Sequence, residues 1–166
     1  MNRWSDWLLA LVVAVSIIPL QLRILPILLP EVWIPHLGLV LVFVCGLALG
    51  EGVGVVAGFG LGLLYDRFTA GGVGLNLLLL PLVGAGAALL PRLLPEIAMP
   101  QKLILLGVFM LLAELFSAVM YSMAGFLVFD FWLVWHELIP AVLMNSLWGA
   151  VLLLYAGDDA RGRQEI

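Results

Sequence analysis

GLALGEGVGVVAGFGLGLLYDRFTAGGVG, residues 46–74, carries glycine at positions 46, 50, 54, 58 and 62 in apolar surroundings. Each fourth residue of an α-helix advances about 400°, so these glycines drift by only about 40° per step and form a smooth strip on one side. In water the run is a poor helix, because each interior glycine costs roughly 0.5 to 1 kcal/mol relative to alanine. In lipid the backbone has to bond to itself whatever the side chain, and glycine lets a neighbouring helix come close. The strip Gly46, Gly50, Gly54, Gly58 and Gly62 therefore serves either packing within the chain or the seating of another protein's helix.

The composition makes lipid the solvent. Hydrophobic residues are 64% and charged residues 11% of the 166, too little polar surface to cover a soluble domain. The expected fold is all-α, a polytopic membrane helix bundle of about six transmembrane helices forming one integral domain, 1–166. The net charge of −4 and the lack of a basic cluster argue against a nucleic-acid partner. The single cysteine, Cys45, allows no internal disulfide and reads as a small buried hydrophobe.

Taken in order, the spans are expected at about 7–22, 35–49, 53–65, 73–90, 103–123 and 138–155. The start imitates a cleavable signal peptide, with a short basic flank, an apolar core and small residues at Ala14 and Ser16. It is read as a retained first span anchored by Trp4 and Trp7, with Ala10 and Ala14 as a small-xxx-small pair. Pro26, Pro30 and Pro35 mark a bent connector. Residues 35–65 measure roughly 46 Å as helix against a hydrocarbon core of about 30 Å, too long for one straight span and too short for two full ones. A hinge at Gly50-Glu51-Gly52 divides them into two short helices. The stretch 91–102, with three prolines, is a connector; 125–137 is an aromatic interfacial segment; the tail from Gly157 is polar and loosely ordered. Six spans with an inside N-terminus put five basic residues in the cytoplasm and two outside. One bent span over 35–65 with an outside N-terminus gives the same balance. Either way the 91–102 loop and the tail are cytoplasmic, and the side of the N-terminus stays open.

Chemistry-bearing residues are sparse. His36 and His136 stand singly and read as interfacial polar residues, with no metal-ligand spacing around them. Ser117 and Ser122 have no nucleophile-elbow context, and phosphate-loop and dinucleotide fingerprints are missing. No catalytic residue, cofactor or metal site is expected. Glu114 is the exception, a carboxylate near mid-bilayer that costs at least about 2.5 kcal/mol on insertion scales and so has to face the interior, be protonated or find a donor. Ser117, Tyr121 and Asn145 are its candidate companions. A proton relay needs several ionisable groups along a path, and the sequence displays one; the structural reading is a protonated Glu that joins two helices by hydrogen bonds. Asp66 is expected to fix the following turn by accepting from loop N–H groups or by pairing with Arg67 or Arg23.

The block Gly58-Phe59-Gly60-Leu61-Gly62-Leu63-Leu64-Tyr65-Asp66, then Gly71 and Gly74-Leu75, resembles the signature of the rod shape-determining MreD family, roughly G-F-x-x-G-x-x-x-D, a short spacer, G-x-x-G and an apolar helix. Glu114 in the penultimate span and Asn145 in the last match positions where that family often has an acidic residue and an Asn. The resemblance implies a non-catalytic, multi-pass component of the bacterial inner membrane, part of the cell-elongation machinery (the elongasome) that organises peptidoglycan synthesis for cell shape and the cell wall. It implies MreC as partner, with RodA, a class B penicillin-binding protein and MreB nearby. It also implies a six-helix fold similar to the substrate-binding subunits of energy-coupling-factor vitamin transporters. A vitamin-binding subunit of that kind is thus one alternative function, and a small proton-coupled carrier built on Glu114 is another.

Overall fold

A computed structural model describes residues 16–30, 33–68, 74–94, 98–125 and 130–162. The expected Trp4 and Trp7 anchors, the Ala10 and Ala14 pair, residues 69–73 and Phe126 and Phe129 lie outside the described residues. Those described form six helices and no strand. They are α1 (Ser16–Leu28), α2 (Leu37–Leu49), α3 (Glu51–Phe68), α4 (Leu75–Leu93), α5 (Met99–Met123) and α6, which runs from Phe131 through to Gly162.

Three are long and apolar enough to cross a membrane: Leu75–Leu93, Met99–Met123 and Val134–Tyr155. The other three fall short for separate reasons. Helix α2 has 13 residues, about 20 Å of helix. Glu51, Asp66 and Arg67 lie in the first and last turns of the 18-residue α3. The described part of α1 also has 13 residues. The last helix begins inside the expected aromatic segment and continues through Asp158 and Asp159 into the expected loose tail, so α6 exceeds the anticipated 138–155 at both ends.

Prolines shape both ends of the chain. In α1 a π turn over Leu20–Ile24 ends with Leu25 N–H donating to the Leu20 carbonyl, and Pro26 follows. In α6 a π turn over Val134–Leu138 ends with Ile139 N–H donating to Val134, and Pro140 follows. A proline has no N–H to give and its ring crowds the carbonyl four residues back; the wider turn relieves both problems. In α1 the widening also turns Gln21 into the protein, where it is buried.

Helices α2, α3 and α4 form one close-packed group, α5 pairs with α6, and α6 rests on α2. The group is held by glycine. A Cβ on Gly54 would lie 2.8 Å from the Gly84 carbonyl oxygen, and one on Gly58 2.6 Å from the Pro81 nitrogen. A Cβ on Gly62 would strike the Asn76 carbonyl, and one on Gly46 of α2 would strike that of Gly84. Contacts of Gly54 with Gly84, Gly58 with Leu80 and Gly62 with Asn76 run antiparallel in fixed register, so α3 and α4 are a hairpin with backbones touching. Gly50 does something else: at φ 91° it closes α2 and lets the chain reverse, and a Cβ there would meet nothing within 4 Å. Leu39, Val40, Val42, Phe43, Leu61, Leu80, Leu106 and Met110 fill the space among the helices, with the Phe43 and Phe109 rings 5.3 Å apart.

At the Gly50 end Arg92 meets Glu51 at 3.1 Å, with the Arg92 side chain about two-thirds and that of Glu51 about half exposed, a pair worth at most about 1 kcal/mol. Its use is positional, since it sets the α2–α3 reversal beside the start of the 91–102 connection. From the distribution of basic residues, single cysteines at Pro95 and Gly162, in a Cys45→Ala background, are expected to be shielded from an impermeant thiol reagent in intact cells. Labelling of both from outside would invert the orientation, and outside labelling of a cysteine at Asn2 would remove one span from the count.

Candidate functional site

At the opposite end of the hairpin the polar residues of all six helices converge. The Asp66 carboxylate, in the last turn of α3, accepts from the backbone N–H of Asn76 (3.1 Å) and of Leu77 (2.9 Å) and from the Asn76 side-chain amide (2.9 Å). Asn76 and Leu77 are in the first turn of α4, whose amide N–H groups have no partner within their own helix. Gly74, at φ 74°, precedes that turn. Asp66 is thus a cap supplied by the preceding helix, with a negative charge at the positive end of the α4 dipole. Its donors are these groups; neither Arg67 nor Arg23 pairs with it among the described residues.

From Asn76 the bonding continues inward. Its Oδ1 is 3.2 Å from His36 Nε2. His36 Nδ1 accepts from Leu39 N–H at 3.1 Å, capping α2, so the ring proton belongs on Nε2 and is donated to Asn76. The backbone N–H of His36 donates to Asn145 Oδ1 at 2.6 Å, and Asn145 Nδ2 donates to Glu114 Oε1 at 2.7 Å. Every donor finds an acceptor, in the order Glu114, Asn145, His36, Asn76, Asp66. A second branch joins beside it: the Tyr65 hydroxyl donates to Gln21 Oε1, which also accepts from Leu37 N–H at 2.9 Å. The Tyr65 oxygen accepts from Gly38 N–H at 3.2 Å, and the His36 and Tyr65 rings lie 4.7 Å apart.

Glu114 and Asn145 therefore meet across α5 and α6, while Ser117 is not a hydrogen-bond partner of Glu114. His36, expected as an isolated interfacial residue, is instead the centre of the chain, and the carboxylate that seemed alone in the sequence is linked to two more ionisable groups. Gln21, Tyr65 and Asn76 were passed over as well. A usable signal was present for Asn76, a solitary polar residue in an apolar helix, where a polar group has to find a partner. His136 is exposed and stacked on Trp132 at 3.7 Å, apart from the chain. Among the described residues no three His, Cys, Asp or Glu side chains gather as a metal site.

What these contacts do chemically is join helices. They define a class of helical membrane protein in which glycines set backbone separation and one polar residue or more per helix sets register. The model of the family described as rod shape-determining protein MreD matches residues 1–156, and the chain belongs to that family. The described part of the resembling block 58–75 covers the second half of α3 and the start of α4, and it holds two of the hairpin's contact points, Gly58 and Gly62, and its cap, Asp66. No curated protein and no solved structure matches the chain.

Proposed function

We propose that the protein is a non-catalytic, multi-pass component of the bacterial inner membrane that holds MreC and helps organise peptidoglycan synthesis by the cell-elongation machinery, near RodA, a class B penicillin-binding protein and MreB. Membership of a rod shape-determining family supports the setting. The observation that carries the mechanism is that Asp66, Asn76, His36 and Asn145 are committed to bonds between helices, so the polar chain builds a rigid body rather than an open reaction site. A rigid bundle with apolar outer faces suits a protein that positions others in the membrane.

The chain from Glu114 to Asp66 gives the proton-carrier alternative more than Glu114 alone did, since three ionisable groups now stand in line. Two carboxamides interrupt it, and Asn145 accepts from the backbone N–H of His36 rather than from its ring, so the hydrogen bonds from Glu114 do not run through the imidazole. Asn145 and Asn76 pass a hydrogen bond along, but passing a proton requires each amide to leave its resting form and return. We therefore favour the structural role. Purified with MreC in mild detergent, the protein is expected to melt at a higher temperature than alone, as for any ligand selective for the folded state. Glu114→Gln, which keeps an acceptor toward Asn145, is expected to leave rod shape largely intact. Should that variant fold, bind MreC and still abolish rod shape, or should a vitamin-sized molecule co-purify stoichiometrically, the holding role gives way to transport.

A further inference from the structure

His36 stands immediately before α2 and touches three other helices. Its backbone N–H donates to Asn145 of α6, its Nε2 bonds Asn76 of α4, and its ring lies against that of Tyr65 of α3. The same ring caps α2, since Nδ1 accepts from Leu39 N–H at 3.1 Å. These bonds need a neutral imidazole in one tautomer, and Asp66 selects it. A carboxylate only accepts, so Asn76 turns Nδ2 toward Asp66 and keeps Oδ1 for the ring. That oxygen also only accepts, so the proton is on Nε2 and the lone pair on Nδ1.

A second proton on the ring goes to Nδ1, where it points at Leu39 N–H, donor against donor. Turning the ring over gives no relief, because a carbon then faces each partner. A charged ring therefore has to leave its place, taking the cap of α2 with it and drawing the His36 N–H away from Asn145. The titratable groups around it are Tyr65 and Asp66 of α3 and, beyond Asn145, Glu114 of α5; α1, α4 and α6 present the neutral amides of Gln21, Asn76 and Asn145. Burial holds the imidazole below its usual 6.5, against the pull of the Asn76 bond and of the Asp66 charge. With the 91–102 connection in the cytoplasm, as the basic residues place it, the His36 end faces outside, where pH follows the medium.

We propose that His36 is a pH-sensitive catch at the start of α2, which ties α2 to α4 and α6 while the ring is neutral and releases that end of the helix when the ring is protonated in acid. The device is a property of the bundle and stands whichever partner the bundle holds. Because the unfolded ring titrates near 6.5 and the folded one lower, the stabilisation is whole above 6.5 and is lost as pH falls from there through the folded value. Within that window each pH unit shifts the folding equilibrium by up to about tenfold, or about 3 to 5 °C in melting temperature.

The test uses the whole protein in mild detergent with His136→Gln, which leaves His36 as the sole histidine. Magnetic resonance of isotope-labelled ring nitrogens should show the Nε2–H tautomer at neutral pH and a titration midpoint below 6.5. The melting temperature of this protein should fall through the window by about 3 to 5 °C per pH unit more than that of a second variant carrying His36→Asn as well. Asn caps a helix without titrating. Asp66 and Glu114 are the same in both variants, so acid loss common to the two belongs to carboxylates. An Nδ1–H tautomer at neutral pH, a midpoint at or above 6.5, or equal acid loss in the two variants each overturns the proposal. Should His36→Asn fail to fold, the tautomer, the midpoint and the acid melting of the His136→Gln protein still decide, because His36 is intact in it: a melting temperature that holds steady across the ring's own titration overturns the catch.

Discussion

Gly58→Leu should leave little protein that melts as a folded unit in detergent, whereas Gly60→Leu, two residues along the same helix, should melt close to wild type. A Cβ at Gly58 would lie 2.6 Å from the Pro81 nitrogen and 2.7 Å from the Leu80 carbonyl carbon, both backbone atoms that no rotamer change can move. The helices would have to separate, undoing the contacts of Gly54 and Gly62 as well. Overpacking costs about 1 to 3 kcal/mol even where neighbours yield. Here at least about 3 kcal/mol is expected, a large share of the roughly 5 to 15 kcal/mol that holds a domain together. Gly62→Leu should behave like Gly58→Leu. At Gly60 nothing lies within 4 Å, so Gly60→Ala should be neutral or slightly stabilising. Wild-type melting of both Gly58→Leu and Gly62→Leu would mean that α3 does not lie against α4, and the hairpin would have to be redrawn.

Asp66→Leu is the second change with a large expected effect. It strips three hydrogen bonds at once and leaves the first N–H groups of α4 unpaired beside apolar neighbours. A hydrogen bond to a charged group contributes about 1.5 to 3 kcal/mol and an N-cap about 1, so a loss of about 3 kcal/mol or more is reasonable. Asp66→Asn should be milder, at about 1 to 2 kcal/mol. Its one oxygen can still accept from Asn76, but its amide would point a donor at the N–H of Leu77. Thermal melting of the two variants side by side measures the difference. Equal, severe loss in both would mean that the negative charge at the head of α4 matters more than the count of acceptors.

The hairpin was largely legible in the sequence, and for a physical reason. Spacing of four in glycine survives translation into a helix face, and Gly58 and Gly62 do touch a neighbour's backbone. The face was not continuous through Gly50, because the chain reverses there; Gly46 and Gly54 come from two helices and reach Gly84 from both. The pairing of Glu114 with Asn145 was foreseen, since a mid-bilayer carboxylate demands a donor and few were on offer. His36 at the centre of the polar chain was not. Its role depends on α6 bringing Asn145 to its backbone N–H and α4 bringing Asn76 to its ring, and neither approach leaves a mark in local sequence. Helix ends were the least legible. Trp132, Trp135 and His136 gave α6 an interfacial composition that masked its helical start, and the charges after Tyr155 masked its continuation.

Asp66 and the glycines of α3 also make that helix dependent on the one that follows it. A segment of 18 residues with five glycines and charges at both ends gains little from lipid alone. It becomes stable once α4 has emerged to supply Gly84, Leu80 and the N–H groups that Asp66 caps. Helix α4, apolar and long enough to cross a membrane, thus supplies the contacts that the helix before it lacks on its own.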